Sequence, residues 1–487
     1  MKRANAWLFV LLVLGPWPIA AQSLVDDPRV STALRLLETW VDAQVAYEGI
    51  PGASMAVVHD QTTLWSRGFG YADRDRRTPA APSTIYGICS ISKLFTSIAV
   101  MQLRDRGRLR LDDPVGKHLP WFAIKQTFPE AGPATVEGIL THASGLPREA
   151  ADLPYWTGPE FPFPTREQLR ERISRQETLY PAETVFQYSN LGLTLAGEIV
   201  AEVSRLPYAD YVSRNILAPL GMDATTPELP EKHRGGRLAT GFSARRRDGT
   251  RVVMPFYQTR ALAPAAGFAS TVEDLARFAS WQFRLLKGGG EEVLDANTLR
   301  EMYRVHWADP DWENTYGLGF SIWRGDRQTF VGHLGSCLGY RSEFALEPKD
   351  KIAVVFMVNA LGVDTRLFVR RAYEIMSPAV AAALKSPGEG KRPDPDLARY
   401  VGRYEPAFGG GEVGEVQVLY WEGSLALLSL PTANPLGGLT KLEWVAEHTF
   451  KRVREDGGLG EKIFFEVGRD GAVTRVWRNS NYHTRAR

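Results

Sequence analysis

The stretch Ser90-Ile91-Ser92-Lys93-Leu94-Phe95-Thr96-Ser97-Ile98-Ala99-Val100-Met101-Gln102-Leu103 decides how this chain is read. Ile91, Leu94, Phe95, Ile98, Met101 and Leu103 recur at helical spacing and mark a buried face, and Gly107 suits a helix stop. Ser90 then stands at the N-terminus of a largely buried helix. Lys93, three residues on, lies over the same face and reaches its hydroxyl. Serine is a poor nucleophile at its free pKa and needs a neighbouring base. A desolvated lysine among cationic or polar groups can lose its proton and serve, while the helix end offers N–H groups to a developing oxyanion. Alone the pair is weak, because two fixed positions recur by chance about once in a chain this long. A helix-capping serine beside a solvated lysine explains it equally well.

Two later motifs add weight. Tyr188-Ser189-Asn190 opens a second buried helix that runs through Leu191 to Val200. Tyr188 can share proton traffic with Lys93, and Asn190 can donate to Lys93 or to a substrate carbonyl. The plain alternative is a capping turn with a packed tyrosine. His333-Leu334-Gly335 falls in a strand pattern, where alternation points His333 into the site and Gly335 lets a substrate backbone approach. A half-buried sheet histidine is the plain reading there.

Around these motifs the chain alternates helical and strand patterns from Val25 to Ala383. Met55 to Val58 and Leu64 to Tyr71 read as an early hairpin. Gly317 to Trp323, Gln328 to Cys337, Arg341 to Leu346 and Ile352 to Asn359 read as consecutive strands, and Thr365 to Ala383 as a helix. Strands at both ends with helices between imply an α+β fold whose sheet is closed by distant parts of the chain. Residues 385–396 are rich in proline, glycine and charge and read as a linker. Beyond it, residues 397–487 hold short alternating runs (Tyr400–Tyr404, Val413–Trp421, Leu425–Leu430, Thr449–Val453, Lys462–Val467 and Val473–Trp477). These predict a small all-β barrel or sandwich.

The chain has 487 residues, 44% hydrophobic and 23% charged, the balance of a multidomain globular protein. Residues 1–21 read as an export signal: Lys2 and Arg3, an apolar run from Trp7 to Leu14, a Gly15-Pro16 break, and small residues at Ala20-Ala21. The run is too short to span a membrane. Without those residues the 58 basic side chains become 56 against 56 acidic ones, which offers nucleic acid or anionic membrane no electrostatic footprint. The eight histidines show no His-x-x-x-His spacing, so no metal is expected, nor any other cofactor. No Gly-x-Ser-x-Gly pentapeptide marks an α/β-hydrolase.

Ser90-x-x-Lys93, Tyr188-x-Asn190 and His333-x-Gly335, in this order, resemble the three signatures of serine β-lactamases, penicillin-binding peptidases and their relatives. Thr135 to Pro147 is similar to the family's helix and loop ahead of the second motif, and Arg108 to Val115 to the segment after the nucleophile helix. The resemblance implies a β-lactamase/transpeptidase-like domain over residues 22–384, an antiparallel sheet plus a helical domain. It also implies an acylated Ser90, and an oxyanion hole from the backbone N–H groups of Ser90 and Ser336. A tyrosine in the second motif resembles the class C pattern and casts Tyr188 as the deacylation partner. Histidine in place of the usual Lys-Thr-Gly lysine resembles D-aminopeptidases and some esterases. It removes a permanent cation for a lactam carboxylate at neutral pH. Leu397 to Tyr404 resembles the opening of a lipocalin-like domain, for which a packing module without ligand is the simpler role.

The two cysteines flank these motifs: Cys89 precedes Ser90, and Cys337 follows Gly335 by two. This placement resembles class A carbapenemases that carry a disulfide there, and export favours the pairing. Two reduced buried thiols are the alternative. The sequence thus points to a periplasmic or secreted serine hydrolase that cleaves small amides or esters, peptides with D-residues or cell-wall fragments among them. Carboxylesterase or class C-like β-lactamase activity at the same site, and a penicillin-binding sensor that acylates once, are the competing readings. Residues Pro154 to Thr165 are expected to wall the cleft.

Overall fold

A computed structural model describes residues 24–486 apart from 326, 393 and 408–413. The export-signal reading of residues 1–21 lies outside the described residues. Distant parts of the chain build one antiparallel sheet. Its strands are β1 (Gly52–His59), β2 (Thr62–Asp73), β3 (Thr78–Pro79), β4 (Trp307–Ala308), β5 (Thr315–Tyr316), β6 (Ser321–Arg324), β7 (Thr329–Cys337), β8 (Tyr340–Glu347) and β9 (Ile352–Val358). Among the described residues the spatial order is β3-β2-β1-β9-β8-β7-β6-β5-β4. The closure expected from sequence is the β1–β9 pairing, from Ala53 opposite Val358 to His59 opposite Ile352. Every residue of β9 is buried, as a central strand covered on both faces requires. The strand expected over Gly317 to Trp323 is present only from Ser321, in β6; residues 317–320 form the break between β5 and β6.

Helices α1 (Pro28–Tyr47) and α5 (Thr365–Lys385) cover one face, where Val57, Phe356 and Val358 meet Trp40 and Phe368. Helices α2 (Ser92–Asp105), α3 (Asn190–Ser204) and α4 (Val272–Gly288) share the other core with Ala56, Val58, Phe344 and Val355. Alternate residues of one strand thus feed two cores. Helix α2 is buried from Ser92 through Leu103, deeper than a one-faced surface helix. It forms the rigid floor of the motif region.

Strands β10 (Gly402–Pro406), β11 (Val416–Trp421), β12 (Ser424–Ser429), β13 (Leu439–Ala446), β14 (Thr449–Val453), β15 (Leu459–Val467), β16 (Val473–Arg478) and β17 (Asn481–Arg485) form a closed barrel. Sequence reading finds six of the eight. It misses β13, where Leu442 alone is buried, and the polar β17, which closes the barrel against β10. Tyr400, Tyr404, Phe450 and Phe465 fill the interior.

The barrel docks by apolar contact. Leu419, Leu428 and Leu430 enter the core of α1 and α5, and Trp40 Nε1 donates to the Thr432 carbonyl at 2.8 Å. Residues 386–394 are pinned at both ends: Ser386 O accepts from Arg29 at 2.7 Å and Asp394 O from Tyr420 at 3.0 Å. Trp40 is fully buried, so Trp40→Ala is expected to destabilise the fold by about 3–5 kcal/mol. The check is a lower thermal midpoint together with faster proteolysis within 386–394; an unchanged midpoint contradicts the docking role.

Candidate active site

Ser90 does not begin α2. It sits in a separate 3-10 turn, Cys89–Ile91, and the α-helix starts at Ser92. Cys89 adopts φ 54°, a left-handed conformation uncommon for a residue with a side chain. Ser92, the motif's filler residue, fastens this turn: its hydroxyl donates to Cys89 O and accepts from Phe268 N at 3.0 Å.

Lys93 is wholly buried. Its Nζ lies 3.2 Å from Ser90 Oγ, 2.9 Å from Asn190 Oδ1 and 2.7 Å from the Ala265 carbonyl. Burial pushes its pKa well below the lysine range; Arg148 adds to this and Glu149 opposes it. A neutral amine has two N–H groups, which Asn190 and Ala265 can take. Its lone pair then faces Ser90. Asn190 thus accepts from Lys93 through Oδ1, the reverse of the donation expected from sequence. Its amide donates instead to Glu149, at 3.2 and 3.3 Å.

The Tyr188 phenol neighbours Ser90, and burial holds it far above the usual tyrosine pKa. Its ring centroid lies 4.9 Å from Lys93 Nζ and 4.9 Å from the Arg148 guanidinium carbon. The loop 142–149 locks this motif in place. His142 Nδ1 accepts from Ser189 N at 3.1 Å, Ser189 Oγ donates to Pro147 O at 2.7 Å, and Asn190 N donates to Arg148 O at 2.7 Å. The His142 ring lies 4.3 Å from that of Tyr188, and burial keeps it neutral.

His333 is buried with its ring 6.2 Å from Tyr188 and 6.3 Å from Tyr316. Nδ1 lies 2.6 Å from the Leu334 carbonyl and must donate to it, which leaves Nε2 as an acceptor with no partner among the described residues. Burial, with Lys93 nearby, pushes its pKa down to about 3, so it carries no charge at neutral pH.

Gly335 has a packing role that the sequence did not reveal. A Cβ there would lie 2.2 Å from Ile88 O and 2.2 Å from Ser342 Oγ, so glycine lets β7 pass the turn before Ser90. Ser342 Oγ donates to Ile88 O at 2.9 Å, and Cys89 and Cys337 are disulfide-bonded with Cα atoms 5.5 Å apart. Ser336, exposed on β7, lies between these ties.

Sequence reading missed Glu149 and Ala265. Glu149 accepts from Asn190, from Tyr155 OH at 2.6 Å and from Trp156 Nε1 at 3.0 Å. Of the aromatics in residues 154–165, Tyr155, Phe161 and Phe163 are buried and Trp156 is half-buried, and Tyr155 and Trp156 connect to the site through Glu149. The low-contrast run Ala263-Pro264-Ala265-Ala266-Gly267 offered only its small size as a signal. Among the described residues no His, Cys, Asp and Glu cluster suited to a metal occurs, and no helix is long and apolar enough to cross a membrane.

The β-lactamase family model matches residues 37–375, most of the chain, and takes in all three motifs. The chain belongs to the β-lactamase family. It is 27% identical over 374 residues to β-lactamase-like protein 2 of Dictyostelium discoideum, covering 74% of this chain and 66% of that protein. The octameric penicillin-binding protein homologue from Pyrococcus abyssi is similar in structure at TM-score 0.60 and 26% identity, covering 92% of this chain and 99% of that one. The D-amino acid amidase from Ochrobactrum anthropi shares the fold at TM-score 0.58 and 24% identity, covering 72% and 98%.

Unreduced protein, denatured and titrated for thiols, is expected to show none; two free thiols would contradict the bridge. Cys89→Ala is expected to slow reaction at Ser90 more than it lowers the unfolding midpoint, because the bond ties the turn to β7 rather than the cores together. An equal loss in both would contradict that local role.

Proposed function

We propose that this chain is an exported serine hydrolase that cleaves small amides or esters through an acyl-Ser90 intermediate. The observation that carries the reading is the buried Lys93 amine, held against Ser90 by Asn190 and Ala265. Neutral Lys93 takes the Ser90 proton as Oγ adds to the substrate carbonyl. The backbone N–H groups of Ser90 and Ser336 receive the oxyanion. Tyr188, still a phenol, gives its proton to the departing amine or alkoxide and regains one from Lys93. Water then enters along the same path, gives a proton back, and releases the acid. Export is supported by the N-terminal pattern and by the disulfide, which persists in oxidising compartments.

Neutral His333 favours substrates other than β-lactams whose carboxylate depends on a lysine at the third motif. On this reading the substrates are small peptides and their amides, D-residues included, and simple esters. The barrel serves as a packing module, its interior being filled.

Ser90→Ala is expected to abolish turnover of a nitrophenyl ester, and Lys93→Met to lower kcat by about 10²–10⁴-fold; undiminished turnover in the serine variant would sink the mechanism. A single burst without recovery would mark a once-acylated sensor instead.

The pH profile has a definite sign. Lys93 is active when deprotonated, so kcat/KM rises with pH through its lowered pKa and then stays level, because Tyr188 ionises only far higher. His333 contributes no step in the usual histidine range, and His333→Gln should leave the profile's shape unchanged. A limb in that range that vanishes in His333→Gln would contradict this.

A further inference from the structure

We propose that Arg148 is the cleft's accessible fixed cation and selects substrates that carry a carboxylate near the scissile carbonyl. This rests on the acyl-Ser90 reading and narrows its substrate class.

Of the basic groups around Ser90, Lys93, His142 and His333 are all buried, and their surroundings disfavour the charged form. None of them can meet an anion from solvent at neutral pH. Arg148 differs in both respects. A guanidinium stays protonated, and 59% of this side chain is exposed. Its position is nonetheless fixed. The Arg148 carbonyl accepts from Asn190 N at 2.7 Å and Leu191 N at 3.2 Å, which clamps its backbone to the start of α3. Its Cζ stacks 4.9 Å from the Tyr188 ring, whose hydroxyl meets Ser90.

Glu149 engages one edge of this guanidinium and leaves the other edge open. It touches Arg148 at Nε, 3.2 Å away, and its oxygens are committed to Asn190, Tyr155 and Trp156 in the wall. The two terminal nitrogens of Arg148 make no hydrogen bond to the described residues and form the fork that receives a carboxylate in two parallel bonds. Two other arginines are poorer candidates. Arg366 is paired and stacked in the same manner, but on Glu343 and the Trp323 ring rather than on Tyr188 of the second motif. Arg341 pairs in register with Ser336 and shares a strand face with Glu343, away from His333.

The test uses two boronic acids, phenylboronic acid and its 3-carboxy derivative, with affinities read by tryptophan fluorescence. Each forms a bond from Ser90 Oγ to boron, gives a tetrahedral boronate, and passes the serine proton to Lys93, so the pair differs only in the carboxylate. We expect the wild-type protein to bind the carboxy compound about tenfold more tightly. That ratio should fall to near one in Arg148→Gln, invert in Arg148→Glu, and persist in Arg341→Gln. In the wild type it should shrink as salt is raised, a readout that needs no variant to fold. A ratio of one in the wild type, or a ratio kept in Arg148→Gln, would overturn the proposal. If neither compound binds, or both bind Ser90→Ala as well as wild type, the acyl-Ser90 reading itself fails.

Discussion

An amine buried beside a serine is the constraint on which the rest of this molecule depends. A lysine taken fully out of water loses most of the solvation that keeps it charged, and no carboxylate touches Nζ to restore it. Glu149 reaches it only through Asn190 and acts as a weak counterweight to Arg148. The site therefore keeps a base by withholding a partner. The same burial raises Tyr188 and lowers His142 and His333, so one environment sets four groups neutral around Ser90.

Holding that amine requires segments far apart in the chain. Asn190 comes from the start of α3, Ala265 from the segment ahead of α4, and the turn of Ser90 is tied to β7 by Gly335, Ser342 and the Cys89–Cys337 bond. The buried helix α2 is the floor they converge on, and the β1–β9 pairing joins residues 53–59 to residues 352–358 in the sheet. The barrel lies against the other core, on α1 and α5.

Much of this was legible in the sequence because it is written in local spacing. Ser90 and Lys93 stand three residues apart at the mouth of a buried helix, the Tyr188 and His333 motifs sit where buried helix and strand patterns place them, and both cysteines flank those motifs. Contacts made only by folding were not legible. Glu149 and Ala265 have no periodic signature, and each matters because of what it meets across the fold. Gly335 shows the same limit: the glycine stands out in sequence, but only the approach of Ile88 tells why it is there. In the barrel, β13 escaped notice because its exposed Trp444, Val445 and Ala446 break the alternation that burial would otherwise impress, and β17 because it is polar.

The protonation state of Lys93 at neutral pH can be observed without substrate. Protein labelled at lysine Cε with carbon-13 can be titrated by NMR, with Lys93→Met identifying the resonance. The account predicts one lysine signal that titrates well below the ordinary lysine value of about 10.4, and lower still than in Arg148→Gln. A Lys93 signal that stays cationic up to that ordinary value would contradict it.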